Sequence, residues 1–133
     1  MIQTREINKG LYLNYLKKAE EFYNTMKSEF DNKNYNSCVL CAIHCSISSA
    51  DALTIFYKGI RHSGEKHQDV IKLMNSLGIA DIKNKIKHLI SLLDIKNSLE
   101  YEERLTTENG AFIAMKHAER FFLWIKELLK ENQ

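Results

Sequence analysis

Arg61 and His67 are the pair best suited to chemistry on a phosphate ester. They stand six residues apart in a polar stretch that follows Lys58-Gly59. Arginine offers a permanently charged, planar fork that fits phosphate oxygens. Histidine takes and gives a proton near neutral pH. Together they supply what metal-free cleavage of RNA requires: a base for the 2′-hydroxyl and a cation for the phosphate. The same spacing also suits an ordinary solvated loop, and His62 beside Arg61 reads as a loop residue.

Asp51 is the other residue that calls for a partner. It is the only formally charged side chain between Asn34 and Tyr57, and an unpaired carboxylate in an apolar run is costly. Ser48, three residues earlier, shares its helix face. Two readings stay open: a polar groove in which Asp51 orients a base or a cation, and a structural salt bridge or cap. Further along, Lys83, Lys85, Lys87, His88 and Lys96 form a basic stretch. It reads either as a phosphate track or as a solvated face. Cys38, Cys41 and Cys45 follow one another on one helix face with His44 among them. A metal site ordinarily needs a second set of ligands, and the chain has three cysteines in all. The trio is therefore read as small core residues, with no metal and no cofactor, and His44 as a packed histidine.

These side chains need a frame, and periodicity predicts one made of helices. The stretch Asn34–Tyr57 is apolar nearly all round, as expected of a helix on which the others pack. Asn36, His44, Ser48 and Asp51 interrupt it, which argues against a membrane span. Before it, residues 8–31 keep Leu16, Ala19, Tyr23, Met26 and Phe30 on one face. Asn34 or Asn36 is placed to cap the central helix. After the polar stretch come a short helix with Val70, Ile71, Met74 and Leu77 inward, then a longer one from Ala80-Asp81 with the stripe Ile82, Ile86, Leu89, Ile90 and Leu93. Lys83 and Lys87 share its outer face. The last helix opens at Thr106 or Thr107 and carries Ala111, Met115, Ala118, Phe122, Ile125 and Leu129, with His117 and Arg120 at the surface beside them. No stretch alternates strictly enough to predict a strand. The expected architecture is all-α, an up-and-down antiparallel bundle of four to five helices.

Bulk properties agree. A chain of 133 residues with 44% hydrophobic and 27% charged content fits one soluble domain, residues 1–133. A net charge of +2 is too small to demand nucleic acid, so any such case rests on local clusters. No apolar leader opens the sequence, and the cysteines are few and odd in number, so a reducing cytoplasmic setting is expected.

Three stretches resemble the HEPN domain (higher eukaryotes and prokaryotes nucleotide-binding), in particular the small stand-alone bacterial HEPN proteins. They are SSADALTIFYKGIRHSGEKHQDVIKLM at Ser48–Met74, LLDIKNSLEYEERLTTENG at Leu92–Gly110, and AMKHAERFFLWI at Ala114–Ile125. Asp51, Gly59, Arg61 and His67 match the first pattern; Lys96 and Tyr101 match the second, in which a basic residue is followed by His-Tyr or Asp-Tyr. The resemblance implies a helical bundle that is usually a homodimer, with catalytic members acting as metal-independent ribonucleases through an arginine and a histidine four to six residues apart. Here Lys96 stands for the usual arginine and Glu100 for the histidine, so the standard position lacks its proton-transfer group. The expectation is a basic groove that binds RNA or a nucleotide. Arg61, Lys96, Lys83 and Lys87 would hold phosphate, His67 would serve as acid or base, Asp51 would orient a neighbour, and Tyr101 would lend a hydroxyl. The alternative is a non-catalytic interaction module, a dimer or the partner of a nucleotidyltransferase-type antitoxin.

Overall fold

The helix at Tyr35–Lys58, here α2, is the element that the others surround. In the computed structural model it packs against α1 (Tyr12–Asp31), α3 (Gln68–Asn75), α4 (Ile82–Tyr101) and α5 (Glu108–Glu131). The structure describes every residue except Met1, Glu65, His67, Glu102 and Gln133, together with every described side chain except those of Glu100 and Tyr101. By length and composition α2 could cross a bilayer, but 67% of its apolar window is buried by the bundle.

The architecture is the all-α bundle that the apolar periods predict. Toward the start of α2 the core is built on small residues. Ala42 of α2 and Ala111, Ala114 and Ala118 of α5 let the helices approach closely, and Met26, Ile43 and Leu92 fill between them. Toward its end the core is larger: Leu53, Ile55, Met74, Leu89, Phe121 and Ile125. Fully burying each such side chain stabilises by about 1.5–3 kcal/mol.

Four local expectations are corrected. A two-stranded antiparallel ribbon exists: β1 (Thr4–Glu6) pairs with β2 (Ile60–His62). Three residues are too few to show alternation, and the strands come from distant segments. Neither asparagine caps α2 as expected. Asn34 makes no side-chain cap bond, and Asn36 Oδ1 instead accepts from the backbone N–H of Thr106 at 2.9 Å. Ile90 is 38% exposed; Leu92, fully buried, completes the stripe of α4. His44 is exposed and stacks on Phe22, ring centroids 5.4 Å apart, rather than sitting in the core.

Gly59 joins the ribbon to the central helix. Its φ is +65°, the left-handed region that glycine enters without strain. Its N–H donates to the carbonyl of Ile55 at 2.8 Å and closes α2, and its carbonyl accepts from the N–H of Ile7 at 2.8 Å. One residue thus ends the central helix and docks the N-terminal strand beside β2.

Candidate functional site

The ribbon meets α2 at Asp51. This carboxylate is 4% exposed, deep in the last third of α2. Arg61 Nη1 lies 4.0 Å from its Oδ2, and His62 Nδ1 lies 3.7 Å from its Oδ1. Both distances exceed those of hydrogen bonds, so the attraction between Arg61 and Asp51 is chiefly Coulombic. The Arg61 guanidinium also sits 6.0 Å from the ring centroid of Tyr15, at the edge of cation–π range. Its side chain remains 27% exposed. The guanidinium is therefore braced from behind by a carboxylate and from the side by a ring, with part of its fork turned to solvent.

His62 is not the loop residue that its sequence context suggests. It is 5% exposed and lies on β2. The signal that could have found it was Asp51 itself: a buried acid needs partners, and two basic residues follow closely on the glycine that ends its helix.

Sequence reasoning also missed Arg5. The ribbon pairs Arg5 directly opposite Arg61, and directly opposed residues project to the same side with Cβ atoms about 4.5–5.5 Å apart. Two guanidinium groups thus share one side of a two-stranded ribbon. Nothing in local sequence joins them, because fifty-five intervening residues fold away as α1 and α2. Past the ribbon's open end, where Ser63 N–H donates to the carbonyl of Gln3 at 2.9 Å, lies a cleft of about 750 Å³. It is lined by Ile2, Gln3, Gly64, Lys66, Gln68, Asp69 and Lys72. His67 lies outside the described residues, although its neighbours Lys66 and Gln68 line this cleft.

The remaining expected site residues do not join this cluster within one chain. Lys96 and Tyr101 lie in the last part of α4, whose neighbours Asp94, Ile95, Ser98 and Leu99 share a second cleft with Val39, near the start of α2. The side chain of Tyr101 lies outside those described. Arg61 follows the other end of α2, about 30 Å away at 1.5 Å rise per residue. Lys83 and Lys87 are exposed in the first half of α4. Asp51 and Arg61 are brought together; Lys96 and Tyr101 stand at the opposite end of the central helix.

The cysteines behave as core residues. Burial pushes the Cys38 thiol up to about 11 and the Cys45 thiol up to about 12. Among the described residues no three histidine, cysteine, aspartate or glutamate side chains are grouped to hold a metal ion.

The family model of the HEPN domain matches residues 12–128. The chain belongs to the HEPN domain family. Comparison with the curated proteins finds no match. The match spans α1 through most of α5, so the Asp51–Arg61–His62 junction lies inside the HEPN domain, whereas Arg5 and the rest of β1 precede it. On this HEPN scaffold, two arginines on one side of a ribbon, one of them braced by an acid, can bind an anion. The one described histidine on the ribbon, His62, is turned in against Asp51 rather than toward solvent.

Proposed function

We propose that this HEPN protein binds the phosphate of RNA or of a nucleotide at the Arg5–Arg61 side of the ribbon. The observation that carries the reading is the direct opposition of Arg5 and Arg61. Like charges facing each other across a ribbon are destabilising, and an anion between them reverses the sign of that interaction. Asp51 restrains Arg61 without neutralising its exposed part, and Lys66 and Lys72 extend the positive surface along the neighbouring cleft. In a homodimer, the family's usual state, the ribbon of one subunit could meet the Lys96–Tyr101 end of the other, which a single chain keeps apart. If cleavage follows binding, His67, six residues after Arg61 in the sequence, is the candidate acid or base, and the expected product is a 2′,3′-cyclic phosphate.

A fluorescently labelled oligoribonucleotide, followed by anisotropy over a salt series, tests binding. The wild type should bind with a salt-dependent affinity, and Arg61→Ala and Arg5→Ala should each weaken it about tenfold or more. Wild-type binding unchanged in both variants would remove the ribbon as the site. Incubation with labelled RNA in EDTA, wild type against His67→Ala, then separates cleavage from binding.

A second reading, an interaction module without chemistry, is favoured by the other end of the molecule. The cleft of about 480 Å³ there is lined largely by apolar side chains such as Ile95, Leu99 and Ile113, and Leu105 at its rim is 79% exposed. Such a surface suits a second copy of the chain or a protein partner. Leu105→Asp should then lower the oligomeric state seen by light scattering.

A further inference from the structure

The last two helices carry a second basic cluster, apart from the ribbon. His88 of α4 and His117 of α5 face each other with Nδ1 atoms 3.0 Å apart and ring centroids 5.3 Å apart. Both rings are half-buried. Few residues separate the end of α4 from the start of α5 in the sequence, so the two helices run antiparallel. One turn toward the start of α4 and one turn toward the end of α5 therefore lead to the same level. Lys85 and Arg120 occupy those two positions, and both act electrostatically on His88; Arg120 acts on His117 as well. The charges that act most strongly on the two rings are thus all positive.

We propose that Lys85, His88, His117 and Arg120 form a phosphate-binding site on the seam between α4 and α5. Two imidazoles this close could also chelate a divalent ion. Lys85 and Arg120, however, set two permanent positive charges beside them, which repel a dication and attract a phosphate dianion. The chemistry of the four groups matches that ligand. Arg120 presents a fork for two oxygens, Lys85 a point charge, and each imidazole, once protonated, an N–H donor at Nε2, its Nδ1 being turned toward the other ring. Burial, first, and the flanking cations hold both histidines below their ordinary value. A bound phosphate supplies the missing counter-charge and draws protons onto the pair. The site itself stands on these four side chains. That its phosphate belongs to RNA or a nucleotide rests on the function proposed above.

The test follows the ring protons of His88 and His117 by NMR through a pH titration of the full chain. The titration is run without ligand, then with inorganic phosphate, a mononucleotide, and a short oligoribonucleotide. Phosphate should raise both midpoints by about half a pH unit or more, and Arg120→Ala, a change at an exposed position, should abolish the rise. Lys85→Ala provides a second variant with the same expected loss. An oligonucleotide acting at lower concentration than the mononucleotide identifies a polynucleotide phosphate; equal potency identifies a free nucleotide. Midpoints unmoved by phosphate, while an oligonucleotide still binds in a manner lost with Arg61→Ala, would overturn the seam site and leave the ribbon reading standing. A phosphate-induced rise in a protein that binds neither RNA nor nucleotide would uphold the site and overturn that reading of its ligand. Zinc-induced shifts of both resonances that stop them titrating, with no response to phosphate, would assign a metal and overturn the proposal.

Discussion

His62 Nδ1 lies 3.7 Å from Asp51 Oδ1, and each of the two side chains is 6% exposed. With Arg61 on the other carboxylate oxygen, one buried acid holds two consecutive residues of β2 against α2. Removing the acid takes its counter-charge away from a permanent guanidinium and a polar neighbour away from a buried imidazole. Asp51→Ala is expected to lower the unfolding free energy by about 2–4 kcal/mol. Arg61→Ala, at a more exposed position and a longer contact, should cost about 1 kcal/mol or less. Urea unfolding of both variants reads the difference. Equal losses would mean that the carboxylate does not organise the junction and that Arg61 is itself structural.

Gly59 links that junction to the helix. A Cβ there would stand 3.3 Å from the backbone carbonyl oxygen of Ile7, at a φ of +65° that side chains other than glycine adopt only with strain. Gly59→Ala should destabilise by about 1–2 kcal/mol. Because the same peptide docks β1, the substitution should also speed amide exchange at Ile7, whose N–H is bonded to the Gly59 carbonyl. Gly78, with a similar φ but open space around it, provides the control: Gly78→Ala meets strain alone, and should leave exchange at Ile7 unchanged.

The bundle was legible because long helices repeat their apolar positions many times. Leu53, Ile86, Phe122 and Ile125 fall on stripes that are visible without coordinates, and all are buried. The ribbon was not legible, since three-residue strands carry no period and their pairing joins Arg5 to Arg61 across two intervening helices. Asp51 was recognisable as a residue in need of partners, and Arg61 was already a candidate. His62 was passed over because burial depends on what covers a residue, and β1 comes from far away. The pairing of His88 with His117 had the same origin: each lies at the margin of its own stripe, and only the seam between two helices brings them face to face.

The thiols yield a prediction independent of function. Burial raises all three cysteines, Cys38 to about 11 and Cys45 to about 12, while Cys41 is raised less and is the one partly open to solvent. Thiolate is the reactive form, so alkylation near pH 8 should be slow throughout. Mass spectrometry after brief iodoacetamide treatment should find modification confined to Cys41 in the native protein and spread over all three residues in urea. Early labelling of Cys45 in the native state would contradict its burial between Ala19 and Phe122.

The seam histidines should make stability depend on pH in a definable window. Desolvation is the largest cause of the lowered pKa in both His88 and His117, with neighbouring positive charge adding to it. A depressed histidine pKa means that, as pH falls, the unfolded chain takes up its protons before the folded chain does. The contribution is therefore fully present above the ordinary histidine value of 6.5 and is lost as pH drops below it, toward the lower folded-state values. Carboxylates lose their part in a separate, more acidic window. Glu20, whose pKa is lowered chiefly by its hydrogen bond to Lys126, belongs to that second window, beginning below the ordinary glutamate value of 4.5. Urea midpoints between about pH 5 and pH 7.5 isolate the histidine contribution. The wild type should lose stability across this range as pH falls. The double variant His88→Gln, His117→Gln should show a clearly flatter dependence, since glutamine keeps hydrogen-bonding capacity but binds no proton. An unchanged slope in that variant would place the pH sensitivity elsewhere.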